Sequence, residues 1–263
     1  MSQDQPGPFP PQPAPWRRRV LTIAGTAVAL AVIGVTAYAV LGDGADDRAG
    51  RVDRVSNSGV AVHSKGYELV APASVGAFTK SSPGSAPAEL NAEQQKGAER
   101  IGVRNARAVS GIYNGPGPEA GDPGKVGGRR LSFDGLYGDI ADPAAALDRY
   151  LAQVGEKGFK GDGKKRGLVM EPAGSATAVE PAGFEGALMK CQDMKVIHHT
   201  SAGSPKESAA DFRVPVCAWA DYSTLGGANV FELAQAVTGG EGASREEAAA
   251  VTAELFRTAR RKS

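Results

Sequence analysis

Arg130–Val154 reads RLSFDGLYGDIADPAAALDRYLAQV, and its hydrophobic period changes part-way along. Leu131, Phe133, Gly135 and Tyr137 fall on alternate positions, the period of a strand with one buried face. Asp142-Pro143 then supplies a side-chain cap followed by a residue whose fixed φ suits the first helical position. Leu147, Leu151 and Val154 follow at helical spacing with Tyr150 beside them, and Gly158 stands where the helix would close. One half-buried strand thus leads directly into one amphipathic helix.

Outward from this segment the same two periods recur without regular βαβ alternation. Toward the N-terminus, Tyr67–Val70 reads as the first strand, with a short extended piece before it at Val60–His63. Asn91-Ala92-Glu93-Gln94 has capping-box spacing and opens a helix that ends at Gly102, and Ala106–Tyr113 is a further strand. The glycines and prolines of Asn114–Gly128 make that stretch a loop. Toward the C-terminus, strands are expected at Gly167–Glu171, Ala176–Glu180, Phe184–Val196, Phe212–Tyr222 and Ala228–Val237, the last two joined by Ser223–Gly227. Ser244-Arg245-Glu246-Glu247 opens a final helix with Ala248, Val251, Leu255 and Ala259 as its buried stripe. Arg257, Arg260, Arg261 and Lys262 are expected in its last turns, where cations suit the helix dipole. Strands in runs with interspersed helices predict an α+β domain, an antiparallel sheet with helices packed on it.

Before this domain, Val20–Leu41 runs for twenty-two residues without a charge. As a helix it would extend about 33 Å, enough for a bilayer core of about 30 Å. Arg17, Arg18 and Arg19 abut its N-terminal end, and Asp43, Asp46 and Asp47 follow the other. The positive-inside rule therefore predicts a cell-membrane protein crossing the bilayer once, with residues 1–19 cytoplasmic and the rest outside. The layout expected is a Pro-rich disordered tail (1–19), a transmembrane helix (20–41), a stalk (42–65) and an extracytoplasmic α+β domain (66–263). Ala37-Tyr38-Ala39 resembles a signal-peptidase site, so cleavage after Ala39 is the rival reading; the apolar run is longer than the usual signal segment of about 7–15 residues.

The 263 residues carry a net charge of +1. Once Arg17–Arg19 and Asp4 are set aside, the 30 basic and 29 acidic residues fall to 27 and 28, a balance that gives no electrostatic ground for binding nucleic acid. Cys191 and Cys217 are the only cysteines. In an oxidising compartment such a pair reads as one structural disulfide, with a redox or metal role as the weaker alternative because C-x-x-C spacing is missing.

No residue pattern names a reaction. Gly161–Gly167 lacks the G-x-x-x-x-G-K-[ST] spacing of a phosphate loop. His198 and His199 are neighbours in a strand and point to opposite faces, so they do not chelate as a pair. Asp134, Asp139 and Asp142 lack the spacing of a calcium or acid–base site. No catalytic residue, cofactor or metal is therefore assigned. Cys217, Trp219 and Asp221 share one strand face, which predicts a disulfide packed near an indole. Asp221, Ser223 and Thr224 either fix the following turn or, with Trp219, Asp221 and Thr224 as a rim, border a ligand pocket.

Gly186-Ala187-Leu188-Met189-Lys190-Cys191, together with the C-x-W-x-D-x-S-T-x-G run from Cys217 to Gly226, resembles uncharacterised actinobacterial membrane-anchored or secreted proteins. Tyr67–Gly76 and the Ser244–Arg261 helix extend the resemblance. It implies an extracytoplasmic domain and a Cys191–Cys217 bond, and transfers no catalytic residue. The order of strands and helices also resembles a PsbP-like α+β sheet. The expectation is a non-enzymatic binding or interaction module at the cell envelope, with an envelope protein or small ligand as partner. An envelope hydrolase or other extracytoplasmic enzyme is the alternative.

Overall fold

The computed structural model describes residues 55–81, 87–116, 128–157, 167–199, 211–240 and 242–263. The apolar run Val20–Leu41, the Pro-rich tail and most of the stalk lie outside them, as does most of Gly161–Gly167. Among the described residues no helix is long and apolar enough to cross a membrane.

The domain is an α+β fold built on an antiparallel sheet. In chain order its elements are β1 (Tyr67–Leu69), β2 (Ser74–Val75), β3 (Phe78–Lys80), β4 (Ala88–Glu89), α1 (Ala92–Ile101), β5 (Val103–Asn114), β6 (Arg129–Ile140) and α2 (Pro143–Lys157). There follow β7 (Gly167–Pro172), β8 (Thr177–Ala178), β9 (Leu188–His199), β10 (Phe212–Ala220), β11 (Thr224–Glu232), α3 (Gln235–Thr238), α4 (Arg245–Ala259) and β12 (Arg260–Lys262). The main sheet has the order β2-β3-β5-β6-β11-β10-β9-β7, with β4 on β5 and β8 on β9; β1 and β12 form a separate antiparallel pair.

Local chemistry sets the helix boundaries. Asn91 Oδ1 accepts from the Glu93 and Gln94 amides while the Gln94 side chain accepts from the Asn91 amide, and Gly102 ends α1 in the left-handed region at φ 111°. Asp142 caps α2 by accepting from the Ala145 amide and from the Asn57 side chain. These bonds, the Asn57 one foremost, hold its carboxyl below the usual range. Ser244 Oγ accepts from the Glu247 amide and caps α4.

The strand register divides the core into two layers. On one face Leu131, Phe133, Tyr137, Met189, Cys191, Cys217, Trp219, Ala228 and Val230 pack with Ala248, Leu255, Phe256 and Ala259 of α4. The alternation read from residues 131–137 is thus the face beneath α4. On the other face, α2 lies over β7, β9, β10 and β11, and α1 lies over β5. Phe133 and Trp219 stack with centroids 5.8 Å apart, and Phe256 meets the Trp219 edge at 6.0 Å.

Four local expectations are corrected. Val60–His63 is not a strand; Asn57–Gly59 and Val62–Ser64 form single 3-10 turns, the first capped by Ser56 Oγ. The β10–β11 turn is only Asp221-Tyr222-Ser223, because Thr224–Gly227 already pairs with β6 and β10. Two glycines that read as a loop belong to a strand because large rings cross them: a Cβ at Gly226 would enter the Trp219 ring, and one at Gly227 would enter Tyr150. β11 ends at Glu232 rather than Val237, and Gln235–Thr238 is a short helix whose Gln235 side chain accepts from the Glu232 amide. Arg260–Lys262 leave the last helix and pair with β1 through Leu69↔Arg260, Glu68↔Arg261 and Tyr67↔Lys262.

Cys191 and Cys217 face each other across β9 and β10 and are bonded, with Cα atoms 4.0 Å apart. The structural disulfide is therefore present, on the same core face as Trp219. In the chain-entropy picture a bond across 26 positions stabilises the fold by about 3 kcal/mol. Replacing both cysteines by alanine is expected to lower the unfolding free energy by about that amount in a denaturant titration. Protein purified with its thiols trapped and then denatured should carry no free thiol; two would show that the bond is absent in the cell.

Candidate functional site

Trp219, Asp221 and Thr224 do come together, but inside the protein: each has a relative exposure of 0 %. Asp221 Oδ1 accepts from the Ser223 and Thr224 amides, both at 2.7 Å, and Oδ2 accepts from the Thr224 hydroxyl at 2.6 Å. Thr224 Oγ1 in turn accepts from Trp219 Nε1 at 3.2 Å. The Arg260 guanidinium completes the carboxylate with an ion pair at 3.0 Å, lying 4.1 Å from the Tyr67 ring centroid and 4.2 Å from that of Phe256. Ser223 Oγ donates to the Ser64 carbonyl and accepts from the Tyr67 amide. These residues therefore do not form an open rim. They fix the β10–β11 turn and lock both chain ends of the domain onto it, which is the turn-fixing reading. The sequence signal missed here was Arg260, whose separation from Asp221 hides the pairing.

The three aspartates near β6 do not converge. Asp139 accepts from the Asn105 side chain at the surface, and Asp142 caps α2. Asp134 stands apart. The register places it directly opposite Ser110 on β5 and Gly227 on β11, so Ser110, Asp134 and Gly227 form one row across three strands. Its face is the one beneath α2, because Tyr150 of α2 lies over Gly227 with its hydroxyl where a Cβ would be. The next row is Ile112, Ser132 and Asn229. Ser110, Ser132, Asp134 and Asn229 are all part-buried, so this stripe keeps some solvent-accessible surface.

Asp134 Oδ1 is sealed from solvent and has no hydrogen-bond partner among the described residues. Burial pushes the carboxyl up to about 8, because nothing compensates the charged form for its lost hydration. The same row continues through Ala218 to Lys190, whose buried ammonium is paired with Asp148 of α2 at 2.5 Å. That lysine has its charge neutralised and is a structural ion pair. Asp134 Oδ1 has no such partner among the described residues. Alternation marks Ser132 and Asp134 as the polar face of a strand, and such a face reads as solvated; only the packing of α2 across β11 shows that it is half-covered.

His198 and His199 are the last two residues of β9, opposite Leu168 and Gly167. Among the described residues no three His, Cys, Asp or Glu side chains converge as a metal site. No protein-family model, curated protein or solved structure matches this chain. The assignment of a function therefore rests on the Asp134 stripe.

Proposed function

We propose that this chain is a membrane-tethered, extracytoplasmic binding module, not an enzyme, and that its ligand seats on the stripe Ser110–Asp134–Ser132–Asn229. The carrying observation is Asp134, a part-buried carboxyl with one oxygen that lacks a donor among the described residues, beside a row of neutral hydroxyl and amide groups. Ligand sites combine a few convergent polar groups with an apolar surround, here Ile112, Leu136 and Leu225 on the same face. A hydrolase needs a second ionisable group working with the first. The buried ionisable side chains Lys190 and Asp221 are already held by Asp148 and Arg260. Placement outside the cytoplasm is supported by the charge-free run Val20–Leu41 with its flanking arginines and by the disulfide, which persists in oxidising compartments.

Photo-crosslinking in intact cells tests this reading. A benzophenone amino acid replaces Ser132 in the full chain, with the exposed Glu68 as the control position. Capture of one envelope component from Ser132 and not from Glu68 is the expected result. Equal capture at both positions, or none at Ser132, would remove the stripe as the binding seat. Release of cleaved envelope material by the wild type and not by Asp134→Asn would instead make it an enzyme.

A further inference from the structure

We infer that the ligand presents a single amine to Asp134, carried on a hydroxylated skeleton such as an amino sugar. The inference rests on the binding seat proposed above and names what fills it. Oδ1 of Asp134 has no donor from β5, β6, β11 or α2 among the described residues, while the residue keeps part of its surface, so a ligand meeting the carboxyl there is matched to it by supplying a donor. An ammonium supplies that donor together with the charge that stabilises the ionised carboxylate.

The surroundings select the rest of the molecule. Ser110 lies beside Asp134 on one strand, and Ser132 and Asn229 form the next row. These groups both donate and accept, which suits sugar hydroxyls and does not suit an aliphatic amine alone. The Tyr150 ring over Gly227 walls one side. The charged groups on this face are Arg130, four residues along β6 opposite Asn114 and Phe231, and the Lys190–Asp148 pair beyond Gly227 and Ala218. The Lys190 charge is neutralised by Asp148, while the Arg130 guanidinium at the end of the stripe opposes a second cation. The seat therefore takes one amine and disfavours a polyamine.

Binding then has a proton signature. The empty seat holds Asp134 as a neutral acid below about pH 8, and the bound ammonium requires it ionised, so the carboxyl proton passes to solvent on binding. Titration calorimetry of the full chain in detergent, at pH 6 in two buffers of different ionisation enthalpy, measures that proton directly. The probes are glucosamine and N-acetylglucosamine, which differ in the amine charge. Glucosamine is expected to bind at least tenfold more tightly, to release close to one proton, and to lose both properties in Asp134→Asn. Equal binding of the two sugars, or glucosamine binding without proton release, would overturn the amine while leaving the binding module intact. Failure of both sugars, with Ser132 still capturing a component in cells, would overturn it in the same way. Failure of both sugars with no capture at Ser132 would remove the seat as well.

Discussion

Replacing Arg260 by alanine is expected to lower the unfolding free energy by about 3–5 kcal/mol. The guanidinium neutralises Asp221, which has 0 % exposure and no other cation within ion-pair distance among the described residues. Without it, a buried carboxylate remains with only hydrogen-bond donors around it. Its stacking between Tyr67 and Phe256 would be lost as well. The consequence reaches beyond the pair, because Arg260 begins β12, and β12 is the partner of β1. Ser263 donates to the Gly66 carbonyl through both its amide and its hydroxyl, and the Lys262 ammonium donates to the Lys65 carbonyl. The two ends of the domain therefore form one clip, and Val70 continues it by donating to the Ala259 carbonyl. Amide exchange should show β1 losing protection together with β12 in Arg260→Ala. The double variant Asp221→Asn/Arg260→Met, which removes both charges, should recover part of the loss. A change below about 1 kcal/mol in Arg260→Ala would show that Asp221 is compensated by other means.

Asp134→Asn should act in the opposite direction and depend on pH. The folded-state carboxyl is raised to about 8 by burial, while the unfolded chain titrates near the ordinary aspartate value. Below about pH 4 both states hold the proton and the site has no ionisation penalty. Between about pH 4 and pH 8 the unfolded chain gives up its proton and the folded chain keeps it, so stability falls as pH rises through this window and levels off above it. Because the residue keeps part of its surface, solvent screening holds the loss over the interval to a few kcal/mol, on the order of 2–3. Asparagine is close in shape and does not titrate. The variant should match the wild type near the acid end of the window and exceed it by about 2–3 kcal/mol at the alkaline end. The nearby charges, Arg130 on the same face and Lys190 with its partner Asp148, are present in both proteins, so the difference reports Asp134 itself. Asp142, held below the usual range by Asn57 and the Ala145 amide, contributes stability that is lost only as pH falls through the acid range. It does not enter the window in which Asp134 acts. Parallel pH–stability curves for the two proteins would show that Asp134 ionises freely in the fold.

What could be read from residues alone was whatever depends on near neighbours in the chain. Asn91 with Gln94, Asp142 with Pro143, and Ser244 with the Glu247 amide are contacts across at most three positions, and each helix start was legible because its cap is local. The buried face Leu131–Tyr137 was legible because a strand separates its faces by simple alternation, and the cysteine pair because two thiols in one compartment have few partners. The apolar run Val20–Leu41 is likewise a statement about composition and length, and lies outside the described residues. Tertiary structure alone decided the rest. Gly226 and Gly227 are strand residues because Trp219 and Tyr150, distant or on another element, occupy the space above them. Arg260–Lys262 are a strand because β1, nearly two hundred residues earlier, presents an unpaired edge. Asp221 is buried because Arg260 meets it there, and Asp134 is set apart because α2 covers a face that alternation by itself assigns to water. Burial is a property of what packs against a residue, and for all of these positions but Gly226 the packing partner is remote in sequence.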